Sequence, residues 1–325
     1  MAVLVTGLGY LGAALAEDLL RHGERVVGLE NGFATDPRAL DRLAATGVEI
    51  VAGDVADSAA VERAFGVAPI ETVYHYAAQA SAHPDAAPAD YTERANLQGP
   101  RMVLDAMLRH GARTLVYASS FKVYGERPTG LVDERYPYGA FRDLSHLSKV
   151  YVEKLLELYA GLHGLRCLAL RLGIVHGPGP VFKTDGRFMT APNRFSLQAA
   201  RGEPLTVHDG GRTQAGFVHL ADATRAALAA VAHEGFAGYT PLNVVGEVAS
   251  LAALARTVVQ AGAARGLAVA VSGLDVATPD EAPPAFAVAS ELDALGFRYA
   301  HTLGDGVGAA LDHFLAGAAA GGVRA

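Results

Sequence analysis

Tryptophan is absent from the 325 residues, and cysteine occurs once. That single Cys167 lies in the apolar run Leu165 to Leu170, which excludes a disulfide framework and a multi-cysteine metal cage and reads as a small buried side chain in a reducing compartment. Basic residues are in the minority: 27 Lys and Arg stand against 34 Asp and Glu, for a net charge of -7. A chain of that balance has no global field to draw nucleic acid or an anionic membrane, and neither is expected as a partner. Long apolar runs are missing too. Although 51% of the residues are hydrophobic, charge or glycine interrupts every stretch well short of the roughly 18 residues that a membrane span requires. The N-terminus shows no basic leader and no cleavage signal, so a cytoplasmic protein is expected. The 12 histidines show no spacing with carboxylates that suggests a metal triad, and no metal is expected.

What is present is an alternation of short aliphatic runs with amphipathic stretches. Val3 to Thr6, Arg25 to Leu29, Val48 to Val51, Thr72 to His75, Thr114 to Ser119 and Cys167 to Leu172 read as strands. Leu11 to His22, Asp36 to Ala45, Ala59 to Phe65, Asp90 to His110 and Ser145 to His163 carry helical spacing. The pattern predicts an α/β fold, a doubly wound parallel sheet of the Rossmann-like kind, with chemistry gathered at the carboxyl ends of the strands. Residues 1–175 are expected to form the dinucleotide-binding domain, its sheet completed by a strand near 216–219. Residues 176–316, rich in Gly and Pro, are expected to build a smaller C-terminal substrate lobe, and residues 317–325 a disordered tail.

Gly7, Gly9 and Gly12 follow the first strand and open the first helix. In that context the first glycine permits the turn, the second lets backbone approach a diphosphate, and the third lets helix pack on strand. Glu30 closes the second strand, where a carboxylate accepts ribose hydroxyls and repels a 2′-phosphate. NAD is therefore the expected cofactor.

Further markers follow in order: Val5-Thr-Gly, Leu29-Glu-Asn, Gly53-Asp-Val, His75-Tyr-Ala-Ala-Gln, Asn96-Leu-Gln-Gly, Val116-Tyr-Ala-Ser-Ser, Val123-Tyr-Gly, Ser148-Lys149 with Glu153, Arg171-Leu-Gly-Ile-Val-His-Gly-Pro and Phe217-Val-His-Leu-Ala-Asp. Over nearly its whole length the chain resembles the extended short-chain dehydrogenase/reductases, the NAD-dependent epimerases/dehydratases. The resemblance implies that Asp54 and Val55 touch the adenine, that Ala77 and Ala78 line the cofactor and that Lys149 binds the nicotinamide ribose. Tyr10 and Leu11 of the glycine turn, with Asn31, Gln79 and Asn96 of the other motifs, are counted with the cofactor wall. It also implies a homodimer through the helices over 90–110 and 145–163.

Departures from the family pattern bear on function. The glycine loop is one residue shorter than the family's Thr-Gly-x-x-Gly-x-x-Gly. The family's active site joins a Ser or Thr, a Tyr and a Lys; here Ser120 and Lys149 hold their places, but Ser145 stands where the Tyr belongs. A serine is too weak an acid to replace it unaided. Candidate substitutes are His146 beside the empty place, Tyr136 and Tyr138 on the preceding loop, and Lys122, which follows Phe121 where the sugar 4,6-dehydratases carry an Asp-Glu pair. Tyr151 reads as core. Lys122 is either a solvated lysine, a cation for a substrate anion or an amine base.

Relatives that act on nucleotide sugars place an Asn and an Arg where this chain has Ile174 and Ala215. A diphosphate then needs rescue from Lys183, Arg187, Arg194 or Arg212, of which Arg212 is the best placed in sequence. Ser81, His83, Lys122, His176 and Arg212 make up the candidate substrate wall. The leading expectation is an NAD-dependent enzyme that exchanges hydride with a secondary alcohol or ketone of a polar, sugar-like small molecule through a nonstandard proton carrier. Two alternatives stay open: a nucleotide-sugar 4-epimerase with relocated diphosphate contacts, and an NAD-holding scaffold with non-redox or binding duties.

Overall fold

The computed structural model describes residues 2–81, 88–182, 186–274 and 284–321. Its strands are, in chain order, β1 (Ala2–Thr6), β2 (Arg25–Glu30), β3 (Glu49–Ala52), β4 (Ile70–His75), β5 (Thr114–Ser120), β6 (Gly130–Val132), β7 (Arg166–Leu172), β8 (Ile174–His176), β9 (Leu205–Gly210), β10 (Gln214–His219), β11 (Tyr239–Val244), β12 (Glu247–Ser250), β13 (Val271–Leu274) and β14 (Phe286–Val288). The helices are α1 (Tyr10–Arg21), α2 (Pro37–Ala45), α3 (Ser58–Gly66), α4 (Ala89–Glu93), α5 (Gly99–His110), α6 (Leu144–His163), α7 (Ala191–Ala200), α8 (Leu220–Ala232), α9 (Leu251–Ala263), α10 (Glu291–Ala294) and α11 (Leu303–Gly321). Seven strands form one parallel sheet in the order β11-β7-β5-β4-β1-β2-β3. The chain leaves from β1 toward β3 and returns at β4 beside β1, so the strand order reverses there and a crevice opens at the carboxyl ends.

Aliphatic residues fill both faces of these strands because helices cover both. Val3 and Val5 face α1 and α8 in one core with Leu15, Leu19 and Ala226. Leu4 and Val27 face the other side with Val103, Leu104, Leu156 and Cys167. Burial among these apolar groups pushes the Cys167 thiol up to about 12, which removes it from thiolate chemistry. A separate core of Phe195, Leu205, Leu254, Val307 and Leu311 joins α7, α9, α11 and β9.

Two expectations need correction. The strand over 214–219 does not complete the main sheet; β10 lies between β8 and β12 in a three-stranded sheet, and β11 takes the seventh place beside β7. The cause is the β7–β8 junction, where a Cβ at Gly173 would stand 2.8 Å from the Gly216 carbonyl oxygen, so the two backbones meet closely and β10 pairs with β8. The tail is also shorter than expected: α11 continues to Gly321, as the alanine-rich end allows, and residues 322–325 lie outside the described residues.

One buried ion pair fixes α6 to the sheet. Glu153 and Arg171 have side chains 0% and 3% exposed, and Arg171 Nη2 donates to Glu153 Oε2 at 2.6 Å. Tyr138 and Tyr239 donate to the same oxygen at 2.9 and 2.7 Å, Ser119 donates to Oε1, and Arg171 also donates to Tyr124 at 2.6 Å. Removing one partner leaves a buried charge uncompensated, at about 3–5 kcal/mol. Glu153→Ala is expected to lower the unfolding free energy by that order, read as a fall in the urea midpoint; unfolding indistinguishable from the parent protein would contradict it.

Candidate active site

The crevice opens into a cavity of about 660 Å³. At its floor Gly7 takes φ +79°, and a Cβ there would lie 2.6 Å from the Ala77 backbone. A Cβ at Gly12 would collide with the Gly7 carbonyl. Gly9 precedes α1 without a side-chain cap, so first-turn N–H groups remain to face an anion. Glu30 accepts from the Leu8 and Gly32 N–H groups at 2.7 and 2.9 Å, and a carboxylate so held keeps lone pairs for hydroxyl donors. This cradle fits a dinucleotide.

Tyr10, Leu11, Asn31, Val55, Ala77, Ala78 and Gln79 line the cavity as expected. Asp54 and Asn96 are not among the lining residues. Asp54 accepts from Asn31 Nδ2 at 3.0 Å and from Ala56 N–H at 2.8 Å. Asn96 clamps the Gln79 backbone from behind, accepting its N–H at 2.7 Å and donating to its carbonyl at 2.9 Å. The π-helical stretch Arg94–Gln98 between α4 and α5 carries Asn96, a feature often found at functional sites.

At the other end of the crevice β5 and α6 bring Ser120, Ser145, His146 and Lys149 to the cavity wall. Ser120 Oγ accepts from the Lys122 N–H at 3.2 Å, and its own hydrogen remains available to a substrate oxygen. Lys149 Nζ donates to the Ala118 carbonyl at 2.8 Å; burial, opposed in part by Glu153, holds the amine down near 8. Ser145 does fill the tyrosine's place, but its hydroxyl donates to the Gln79 carbonyl at 3.2 Å. His146 reaches the cavity through Asp143, a residue the sequence reading passed over. Asp143 caps α6, its Oδ1 accepting the His146 N–H at 2.9 Å, while Oδ2 meets His146 Nδ1 at 2.6 Å. An ionised carboxylate only accepts, so Nδ1 carries the proton and Nε2 is left as the acceptor.

The loop tyrosines are not substitutes. Tyr138 is committed to Glu153 and stacks its ring beneath Arg171, Tyr136 packs against Tyr124, and neither lines the cavity. Tyr151 is 45% exposed rather than core. Lys122 lines the cavity and pairs with Glu126 at 3.0 Å.

On the substrate wall Ser81 lines the cavity and donates to the Arg187 carbonyl at 2.6 Å. His83 and Lys183 lie outside the described residues. Arg212 is displaced from the wall and pairs with Asp209 at 2.8 Å. His176 is buried 1% exposed beside His219 and Phe217, where desolvation holds it down near 3; it serves the core. His75, also held near 3 by burial, contacts Thr6 Oγ1 at 2.8 Å and is structural as expected. Arg187, Phe188, Thr190 and Arg194 line the wall instead. Phe33 stacks on Tyr91 at 4.1 Å, and Phe188 meets Phe33 edge-on at 6.2 Å, all three at the cavity wall.

With this geometry in place, comparison with known proteins identifies the class. The family model described as the NAD dependent epimerase/dehydratase family matches residues 3–244. The chain belongs to that family. A UDP-glucose 4-epimerase of Bacillus subtilis is 34% identical over 162 residues, 48% of this chain and 47% of that protein. A UDP-N-acetyl-alpha-D-glucosaminuronate decarboxylase of Bacillus cytotoxicus is 26% identical over 232 residues, 70% of each. The chain spans about half the length of the first curated relatives it matches. The crystal structure of a Thermus thermophilus UDP-glucose 4-epimerase in complex with NAD superposes with a TM-score of 0.79 at 29% identity, covering 97% of this chain and 99% of that one.

Lys149 gives a pH test of the cofactor site. Its charge is lost as pH rises through about 8, and with it a charge-assisted hydrogen bond worth about tenfold or more in binding. NADH affinity is expected to fall by that order between about pH 7 and about pH 9, and Lys149→Met is expected to bind weakly with no such limb. Fluorescence titration of bound NADH reads both; a flat profile for the parent protein would remove the role given to Lys149.

Proposed function

We propose that the protein is an NAD-dependent enzyme that exchanges hydride with a secondary alcohol or ketone carbon of a sugar-like small molecule, with His146 as proton carrier. The observation that carries this reading is the Asp143–His146 pair on the cavity wall beside Ser120 and Lys149. The chemistry NAD supplies when bound is reversible acceptance of a hydride. His146 Nε2 takes the hydroxyl proton of the alcohol and returns it to the carbonyl oxygen on reversal. Ser120 donates a hydrogen bond to the same oxygen, and Asp143 stabilises the imidazolium that forms. This is the office that the family gives to its tyrosine, transferred one residue along α6 to a side chain whose unperturbed pKa lies near neutrality.

The similarity to sugar epimerases supports recycling of the cofactor rather than its exchange at each turnover. The ring contacts of Phe33 with Tyr91 and with Phe188 at the cavity wall are consistent with the same reading. A second copy of the chain is the proposed partner. Leu147, Tyr151, Leu158 and Leu162 leave α6 50%, 45%, 53% and 69% exposed, an apolar stripe at helical spacing.

His146→Gln is expected to lower turnover by about 10²–10⁴-fold while leaving NADH affinity intact, and Asp143→Asn to lower it less. Deuteride transfer from labelled NADH to a sugar ketone, followed by mass spectrometry, checks the chemistry; full activity in His146→Gln would assign the proton elsewhere. Leu158→Asp is expected to shift the sedimenting species from dimer to monomer, and a monomeric parent protein would remove the partner.

A further inference from the structure

Three of the sequence motifs, Val5-Thr-Gly, His75-Tyr-Ala-Ala-Gln and Val116-Tyr-Ala-Ser-Ser, place one side chain each in a row across the main sheet. Thr6 of β1 is in register with His75 of β4, and His75 with Tyr117 of β5. Residues directly opposite on neighbouring strands share a face of the sheet. The three side chains accordingly meet: Thr6 Oγ1 lies 2.8 Å from His75 Nδ1, and the His75 ring stacks on the Tyr117 ring with centroids 6.0 Å apart and planes at 19°. The hydride exchange makes no use of Tyr117, yet the row ends at Lys149, whose Nζ stands 4.8 Å from the centre of the Tyr117 ring.

Lys149 is 7% exposed, and an ammonium taken out of water needs compensation. Glu153, one turn further along α6, forms no ion pair with it; that carboxylate is taken by Arg171, Ser119, Tyr138 and Tyr239. What the ammonium meets is the Ala118 carbonyl at 2.8 Å and the face of Tyr117. An aromatic face carries the negative part of the ring quadrupole and attracts a cation most strongly where water is excluded. Both rings of the row stay neutral, so no charge behind Tyr117 competes with Lys149. Burial and the Lys149 charge hold His75 near 3, and burial pushes the Tyr117 phenol well above its ordinary value. A carboxylate in the place of the ring would draw the hydrogens of the ammonium to itself. The ring leaves those not given to Ala118 for the cavity that Lys149 lines.

We infer that Tyr117 is a positioning residue of the cofactor site, the face of its ring keeping Lys149 charged and its free hydrogens available to the cofactor at neutral pH. The inference rests on the role given to Lys149 in cofactor binding, and is independent of the substrate and of the proton carrier. Because the Lys149 charge is lost as pH rises through about 8, a midpoint lowered by about one unit would discharge about half of the molecules at neutrality.

Fluorescence titration of NADH against pH reads this in the full-length protein carrying phenylalanine, and then its mono-, di- and trifluorinated analogues, at position 117. Side-chain shape is nearly constant through that series while each fluorine weakens the ring quadrupole. Tyr117→Phe is expected to keep the midpoint of the parent protein. The fluorinated rings are expected to lower it stepwise, by about half a unit to about one and a half units in all, and Tyr117→Leu to lower it as far. Loss of the ring favours the uncharged amine, so the limb moves to lower pH; near about pH 6, where Lys149 is charged with or without the ring, NADH affinity is expected to stay close to that of the parent protein and reports folding. A parent limb whose midpoint stays fixed through the fluorinated series, or one that moves fully in Tyr117→Phe, would overturn the role of the ring alone. A parent protein with no limb would remove the role of Lys149 and that of Tyr117 with it.

Discussion

The Glu153 carboxylate is the constraint on which the site depends. It is fully buried at the meeting point of α6 with β5, β7 and β11, and it is reached by Ser119, Arg171, Tyr138 and Tyr239. These contacts define how far along its axis α6 lies against the strand ends. One turn earlier Lys149 reaches the Ala118 carbonyl, and a further turn back Ser145 and His146 meet the crevice. Sliding α6 by a residue would swing the imidazole by about 100°, so the helix register is itself a catalytic parameter. A buried pair of this kind adds little stability over an apolar core; here it supplies geometry.

Replacing the tyrosine of the family's pattern with Ser145 does not leave a void in this fold. The serine turns inward to the Gln79 carbonyl, tying α6 to the loop that Asn96 clamps from behind. His146 occupies the cavity side because Asp143 uses its two oxygens differently, one for the helix N-terminus and one for the imidazole. A helix cap, an ordinary element of secondary structure, thereby also orients the imidazole. Backbone N–H groups of α1 stand on one side of the cavity, and Arg187 and the α7 residue Arg194 line the other.

Much of this was legible in the sequence, and the boundary is physical. Glycines forced by backbone collisions, such as Gly7 and Gly12, and aliphatic strands such as Val3 to Thr6 declare themselves because local geometry decides them. Glu30 and Lys149 were placed by motif. Asp143 has the spacing of an ordinary helix cap three residues before His146, and only the folded side chain shows that its second oxygen meets the imidazole. Arg212 was preferred to Arg194 on sequence proximity to Ala215, but the turn after β9 carries it onto Asp209, and only the tertiary path of the 186–194 segment brings Arg194 to the wall. Asn96 is buried with its amide turned to the Gln79 backbone, a side-chain direction that the motif alone does not declare. The place of β10 was misread because a tight approach of two backbones at Gly173 and Gly216 has no signature beyond the glycines themselves.

The Tyr10 hydroxyl donates to the Gly177 carbonyl at 2.6 Å, joining the first turn of α1 to the strand end from which the substrate wall departs, while Gly177 N–H donates to Asn193 in the first turn of α7. The two helix N-termini that face the cavity are thus linked through one glycine residue. Gly177 ties the start of α1 to the start of α7, so that a displacement of one helix end is passed through a single residue to the other.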